Sequence, residues 1–284
     1  MLKRNQIAQK GFHYLFVSLL PLITSAVQAD DLPVSNLHIP AISIIIDDMG
    51  YRLNSGNRAI NLPGALTYSF LPHSPHAVSL SKSAHQQNKE VMLHLPMEAE
   101  SGKKLGPGGL TECMTEQKFI KVLESSIKSV PYASGFNNHM GSLLTKSSLW
   151  MTRLMHEIAS DKNLYFVDSK TTSQSIAFKV ALEEGLKSIK RDIFIDHEES
   201  KEFIQQKLKK LIKRAKRKGT TLAIAHPKRI TLSVLESWLP TLEMQGIKLV
   251  SVSTLIGLQQ QKRLALSKPS LPNNAAAVLK KVKY

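Results

Sequence analysis

Apolar and polar positions follow two alternating patterns along this chain, and each change of pattern marks an element. Ala41-Ile-Ser-Ile-Ile-Ile46 is a nearly unbroken β-branched run that stops at Asp47, Asp48 and Gly50. A run of this kind suits a parallel strand covered on both faces. Comparable runs recur at Leu66–Leu71, Glu90–Leu95, Ala133–Asn137, Leu164–Asp168, Ile193–Ile195, Thr221–Ala225 and Lys248–Val252. Between them, helices are predicted near Asn54–Asn61, Ser74–Asn88, Thr115–Ser129, Ser147–Asp161, Lys201–Gly219 and Thr231–Gln245. The glycine- and proline-rich stretch Gly102–Gly109 interrupts this rhythm and is expected to be a loop beside the site. Regular alternation of strand and helix predicts an α/β domain with a closed or nearly closed parallel barrel; an open doubly wound sheet is the alternative.

If the strands are parallel, their carboxyl ends share one rim, where ligands bind in such folds. The residues expected there are Asp47, Asp48, His94, His139, Asp168, Asp196 and His226. Two adjacent carboxylates repel unless a cation or a proton offsets them. Imidazole with carboxylate is a common zinc donor set, and a catalytic site keeps one coordination position open. One carboxylate with two of the histidines would leave such a position. His73, His76 and His85 fall in or near a polar helix and are expected to be surface residues.

The chain's ends narrow the setting. Lys3, Arg4 and Lys10 precede an apolar core, Tyr14–Ile23, and small residues stand at Val27-Gln-Ala29. This is the pattern of a signal peptide over residues 1–29, followed by a linker at 30–40. The main domain is expected over 41–258, and the basic, proline-containing stretch 259–284 is expected to be a disordered tail. The protein is therefore expected to be exported, and periplasmic if the source is Gram-negative. Cys113, the single cysteine, has no partner and no activating neighbour, which excludes a disulfide framework and argues against thiol catalysis.

The formal charge of +16 concentrates in the Lys201–Lys218 segment and the tail. Phe203, Ile204, Leu208, Leu211, Ile212 and Ala215 recur there at helical spacing, so the lysines form the solvated face of a packed helix and carry no nucleic-acid motif. An anionic envelope surface is the partner such a helix and tail would meet.

The strand-Asp-Asp-x-Gly start, the histidine after the third strand, the Asn137-Asn-His-Met-Gly-Ser142 corner and the late Ala223-x-x-His-Pro227 together resemble the divergent polysaccharide deacetylases, a branch of the NodB-like carbohydrate esterases. The resemblance implies a distorted (β/α) barrel of about seven parallel strands, a divalent metal, usually zinc, and a polysaccharide or peptidoglycan-like substrate. It assigns Asp47 as general base, Asp48 and His94 as metal ligands, and His226 as the group that protonates the leaving amine. The ordinary family has a second metal histidine where Glu98 stands here, and His139 looks like its replacement. The family's substrate-orienting arginine has no counterpart in the NNHMGS corner; Arg191, beside Asp192, is the candidate cation from another strand. Asp168 completes the set of catalytic candidates. The expected activity is metal-dependent hydrolysis of an acetyl group on an envelope polysaccharide; the second reading is a metal-binding protein that holds glycan or an envelope partner without turnover.

Overall fold

A computed structural model describes residues 39–161 and 163–267. The segments read as signal peptide and as the last part of the tail lie outside the described residues. The elements are β1 (Ala41–Met49), α1 (Leu53–Ile60), β2 (Thr67–Phe70), α2 (Ala77–Gln86), β3 (Glu90–Met97), α3 (Glu116–Lys128), β4 (Ala133–Met140), α4 (Ser148–Asp161), β5 (Tyr165–Asp168), α5 (Ala177–Glu183), β6 (Ser188–Lys190), β7 (Ile193–Phe194), α6 (Lys201–Lys218), β8 (Thr220–Ala225), α7 (Arg229–Trp238), β9 (Lys248–Leu249) and α8 (Val252–Ser267).

The strands lie in the order β6-β5-β4-β3-β2-β1-β8-β7, and every pairing is parallel. β9 pairs with Ala41 and Ile42 at the start of β1, ahead of the register where β2 begins. The sheet curls into a half-barrel. Among the described residues no pairing joins β6 to β7, so the curl stays open there.

Alternation along the strands sorts side chains onto two faces, because successive residues of a strand point to opposite sides. In β1, Ile42, Ile44 and Ile46 join the larger core, which includes residues of α1 to α7. Ala41 and Ile45 join a smaller core with Met92, Tyr165, Val167, Leu222 and Ile224. That smaller core is the inside of the curl, and Val252, Leu255 and Ile256 of α8 pack into it. The first turn of α8 is tied down by Glu90, whose carboxylate accepts from the Val252 and Ser253 N–H groups, two donors that a helix start leaves open.

Three differences from the sequence expectation bear on the site. β3 continues through Pro96 to Met97, and β4 through His139 to Met140, because the ladder Leu95↔Asn138, Pro96↔His139, Met97↔Met140 persists beyond the proline. His139 therefore stands on a strand and not in a corner. α5 and β6 were not expected; both are short and their apolar residues are interleaved with charge. α8 runs to Ser267, nine residues into the stretch expected to be disordered, with its first turns anchored in the inner core.

Candidate active site

The inner face of the curl supplies most of the site by simple continuation. Ile45 leads to Asp47, Met92 to His94, Gly135 to Asn137 and Asn137 to His139, Val167 to Ser169, and Ile224 to His226, each two residues on along its strand or just past its end. Adjacent acids should still face opposite ways. β1 escapes this through a bulge: Ile46 pairs with Tyr68 and Met49 with Phe70, leaving one extra residue on β1. Asp48 takes φ +55°, a left-handed conformation rare for a non-glycine residue. The extra residue turns both carboxylates toward the histidines.

Asp48 Oδ1 lies 3.2 Å from His94 Nε2 and 3.1 Å from His139 Nδ1, and those two nitrogens are 3.1 Å apart. His226 Nε2 approaches Asp48 Oδ2 at 3.7 Å. Asp47, 3 % exposed, sits behind this group with its Oδ2 3.7 Å from His94 Nε2.

The hydrogen bonds around the cluster fix which atoms are free. Asn137 Nδ2 donates to both oxygens of Asp47 at 2.9 and 3.1 Å, so Asn137 Oδ1 must accept. It accepts from Ser69 Oγ at 2.6 Å and from His94 Nδ1 at 2.7 Å. His94 therefore donates through Nδ1 and turns Nε2 to the cluster, the orientation that a metal-ligating histidine takes from its outer partner. His226 is held in the same manner: Nδ1 donates to Asp196 Oδ1 at 2.9 Å, and Asp196 Oδ2 accepts from the His226 N–H and Thr231 Oγ1.

The charges are mutually adjusted. Burial raises Asp47 above the usual carboxylate range, against the opposing pull of His94, His226 and Asn137. Burial would raise Asp48 too, but the approach of His139 and His94 overcomes it and holds Asp48 well below that range. Burial also disfavours a charged His94; Asp47 and Asp48 outweigh it and push His94 up to about 9. His226 moves upward because Asp196, with Asp47 and Asp48 behind it, outweighs the cost of burial.

The donor set fits a divalent cation. Asp48, His94 and His139 each offer an atom within 4.8 Å of the others. Asp48 Oδ1 is buried and, despite its two close imidazoles, has no partner in hydrogen-bonding geometry. A buried acceptor left without a bond is costly. One carboxylate oxygen with two imidazole nitrogens is the chemistry that zinc and similar ions favour.

The other expected site residues fall elsewhere. Asp168 points off the inner face, as its neighbour Phe166 in the larger core requires, and its oxygens accept from Lys170 N–H and Ser175 Oγ, both at 2.8 Å. It shapes the loop after β5 and does not join the cluster. Ser169, next in sequence, does: its Oγ lies 3.2 Å from Asn137 Nδ2. Arg191 donates from Nε to the Ser169 carbonyl at 2.6 Å and from Nη2 to the Lys170 carbonyl at 2.9 Å. Burial lowers its pKa, with Asp47 and Asp168 opposing that fall, so its charge is felt at the cluster from behind the loop. Asp192 pairs instead with Arg214. Glu98 uses its carboxylate on the Glu112 N–H at 2.7 Å and its carbonyl on the Leu143 and Leu144 N–H groups, pinning the chain on either side of the site.

The sequence profile described as divergent polysaccharide deacetylase matches residues 44–256, which spans β1 to α8. This chain belongs to the divergent polysaccharide deacetylase family. Two relatives are similar over three quarters or more of this chain. A protein of Escherichia coli K12 named YibQ is 35% identical over 232 residues, covering 82% of this chain and 72% of that one. A Haemophilus influenzae protein is 34% identical over 216 residues, covering 75% and 76%. Among solved structures, an Agrobacterium tumefaciens C58 protein aligns with a TM-score of 0.73 at 22% identity, covering 78% of this chain and 94% of that one. The peptidoglycan deacetylase PdaC of Bacillus subtilis aligns at 0.50 and 12% identity, over 81% and 96%. At these identities the structures report a shared fold, and a curled parallel sheet is what this deacetylase family member has.

Proposed function

We propose that the protein is an exported, metal-dependent hydrolase that removes acetyl groups from a polysaccharide of the cell envelope. The observation that carries this reading is the convergence of Asp48, His94 and His139 on one point, with Asp47 on one side and His226 on the other. A divalent ion, zinc by donor type, supplies Lewis acidity there when bound, polarising the acyl carbonyl and the attacking water.

The protein's own residues account for the proton movements. Asp47, kept basic enough by burial to accept a proton, takes one from the water; Asn137 holds its carboxylate in place. His226, fixed by Asp196 through Nδ1, presents Nε2 to the site and delivers a proton to the departing nitrogen or oxygen. Arg191 steadies the Ser169–Lys170 backbone beside Asn137. The outward lysines of α6 are the surface through which the protein would rest on an anionic envelope layer.

Zinc-loaded protein is expected to release acetate from acetylated chito-oligosaccharides or peptidoglycan fragments, and Asp47→Asn to slow that release by about 10²- to 10⁴-fold. No acetate from either substrate class would overturn the reading. Glycan or partner binding without turnover is the second reading, favoured because Glu98 and Arg191 are both committed to backbone groups. It requires Asp47→Asn to replace the wild-type gene fully in cells.

A further inference from the structure

The cleft that opens from the cluster is distinctly basic. Its volume is ≈ 710 Å³, and its wall runs from Asp48, His139 and His226 to the starts of α1 and α7. Arg52, Arg58, Lys228 and Arg229 line it, against Glu199 as the one acid beyond Asp48.

These cations differ in how they are engaged. Arg58 is held by Glu236 through two bonds of 2.7 and 2.8 Å. Lys228 donates to the Asp196 carbonyl at 3.1 Å and stands 4.0 Å from Glu199. Arg52 and Arg229 are exposed and make no ion pair with an acid among the described residues. Their placement works against the helices that carry them. Arg52 is the N-cap of α1 and Lys228 that of α7, with Arg229 the first residue of α7. A helix start favours an acidic or hydroxyl side chain, which answers its free N–H groups and its partial positive charge. Neither helix has an acid in its first turn or a side-chain cap. Two local preferences are thus sacrificed on the same wall, and such departures gather where a ligand compensates for them. Tyr51, 48 % exposed and on that wall, offers a ring on which a sugar can rest.

Taking the deacetylase reading of the site as its basis, we infer that the substrate is an acidic glycan. A carboxylate or phosphate on the sugar beside the acetylated one lies between Arg52 and Arg229. The two side chains neutralise that group, and the free N–H ends of α1 and α7 add to the same field.

The test is binding and turnover on the full zinc-loaded protein with paired probes of equal length. Chitohexaose is the neutral probe, and a hexasaccharide alternating N-acetylglucosamine with glucuronic acid is the carboxylate probe. The disaccharide of two N-acetylglucosamines, with and without a 6-phosphate on one of its sugars, forms the phosphate pair. At least one acidic probe is expected to bind about tenfold or more tighter than its neutral counterpart, with a preference that falls as salt is raised. The variant Arg52→Ala/Arg229→Ala is expected to bring the ratio near one, and Arg52→Lys/Arg229→Lys to recover part of it. Zinc content and melting temperature establish that both variants are folded. Whichever acidic probe is preferred identifies the group. Equal affinity for neutral and acidic probes, or a preference that survives Arg52→Ala/Arg229→Ala, overturns the inference. Acetate release at equal efficiency from neutral and acidic probes overturns it while leaving the deacetylase reading standing. A charge preference without acetate release supports the acidic ligand and counts against the deacetylase.

Discussion

The carboxamide of Asn137 donates to Asp47 and accepts from His94 and Ser69, so one side chain orients both the proposed proton acceptor and a proposed metal ligand. Removing it would leave a buried carboxylate and a buried imidazole N–H without partners. Asn137→Ala is therefore expected to lower stability by about 1–3 kcal/mol, read by urea unfolding, and to weaken zinc binding, read by titration. Asp47, Asp48, His94, His139 and His226 were all legible in the sequence, because acids and histidines after apolar runs attract notice. Asn137 and Asp196 were harder to read for opposite reasons. Asn137 was expected at the end of the fourth strand, with His139 in a corner beyond it, so the continuation of β4 that puts both on one face was hidden. Asp196 looked like any acid after a strand, and only the return of β8 beside β7 brings His226 to it. Asp168 was over-read, since its ordinary work in a loop has the same sequence signature as a catalytic acid.

Single elements were legible in proportion to their length and burial. β1, β3, β8 and the helices α3, α4 and α6 stood out, and the two-residue β7 and β9 fall within runs that were expected as strands; β6 and α5 did not, because a pairing of three residues is set by neighbours rather than by its own pattern, and α8 was hidden by the polar composition of its second half. The same dependence on neighbours explains a glycine inside β4. Gly135 lies on the inner face, where an added Cβ would stand 2.3 Å from Cε2 of the Tyr165 ring on β5. The small residue makes room for the large one. Gly135→Ala is expected to destabilise the protein by about 1–3 kcal/mol, seen as a lower urea midpoint. Because Asn137 follows two residues later, the same variant is also expected to reduce acetate release.

At the scale of the molecule, the three residues proposed to hold the metal come from β1, β3 and β4, so an ion bound by them would clasp the middle of the sheet. Zinc is expected to raise the melting temperature, and EDTA to reverse the rise; at a free concentration of 100 Kd the gain is about 2.7 kcal/mol. Asp48→Ala should bind no zinc and gain nothing on its addition, as measured by metal analysis and thermal melting. The alternation of strand and helix made the α/β class readable in advance. The open side between β6 and β7 was not, since whether a curl closes depends on the summed twist of all its strands.

One pairing also governs when the molecule can come into being. β1, which carries Asp47 and Asp48, is emitted first among the described strands, yet Ala41 pairs with Thr220 and Ile46 with Ala225. Contacts so distant in sequence are slow to form, because the intervening chain must first be brought together. The central strand waits for nearly the whole chain to emerge before it is enclosed. The cluster therefore has no early, partial version: Asp47 and Asp48 meet His226 only once β8 has been made and paired with β1.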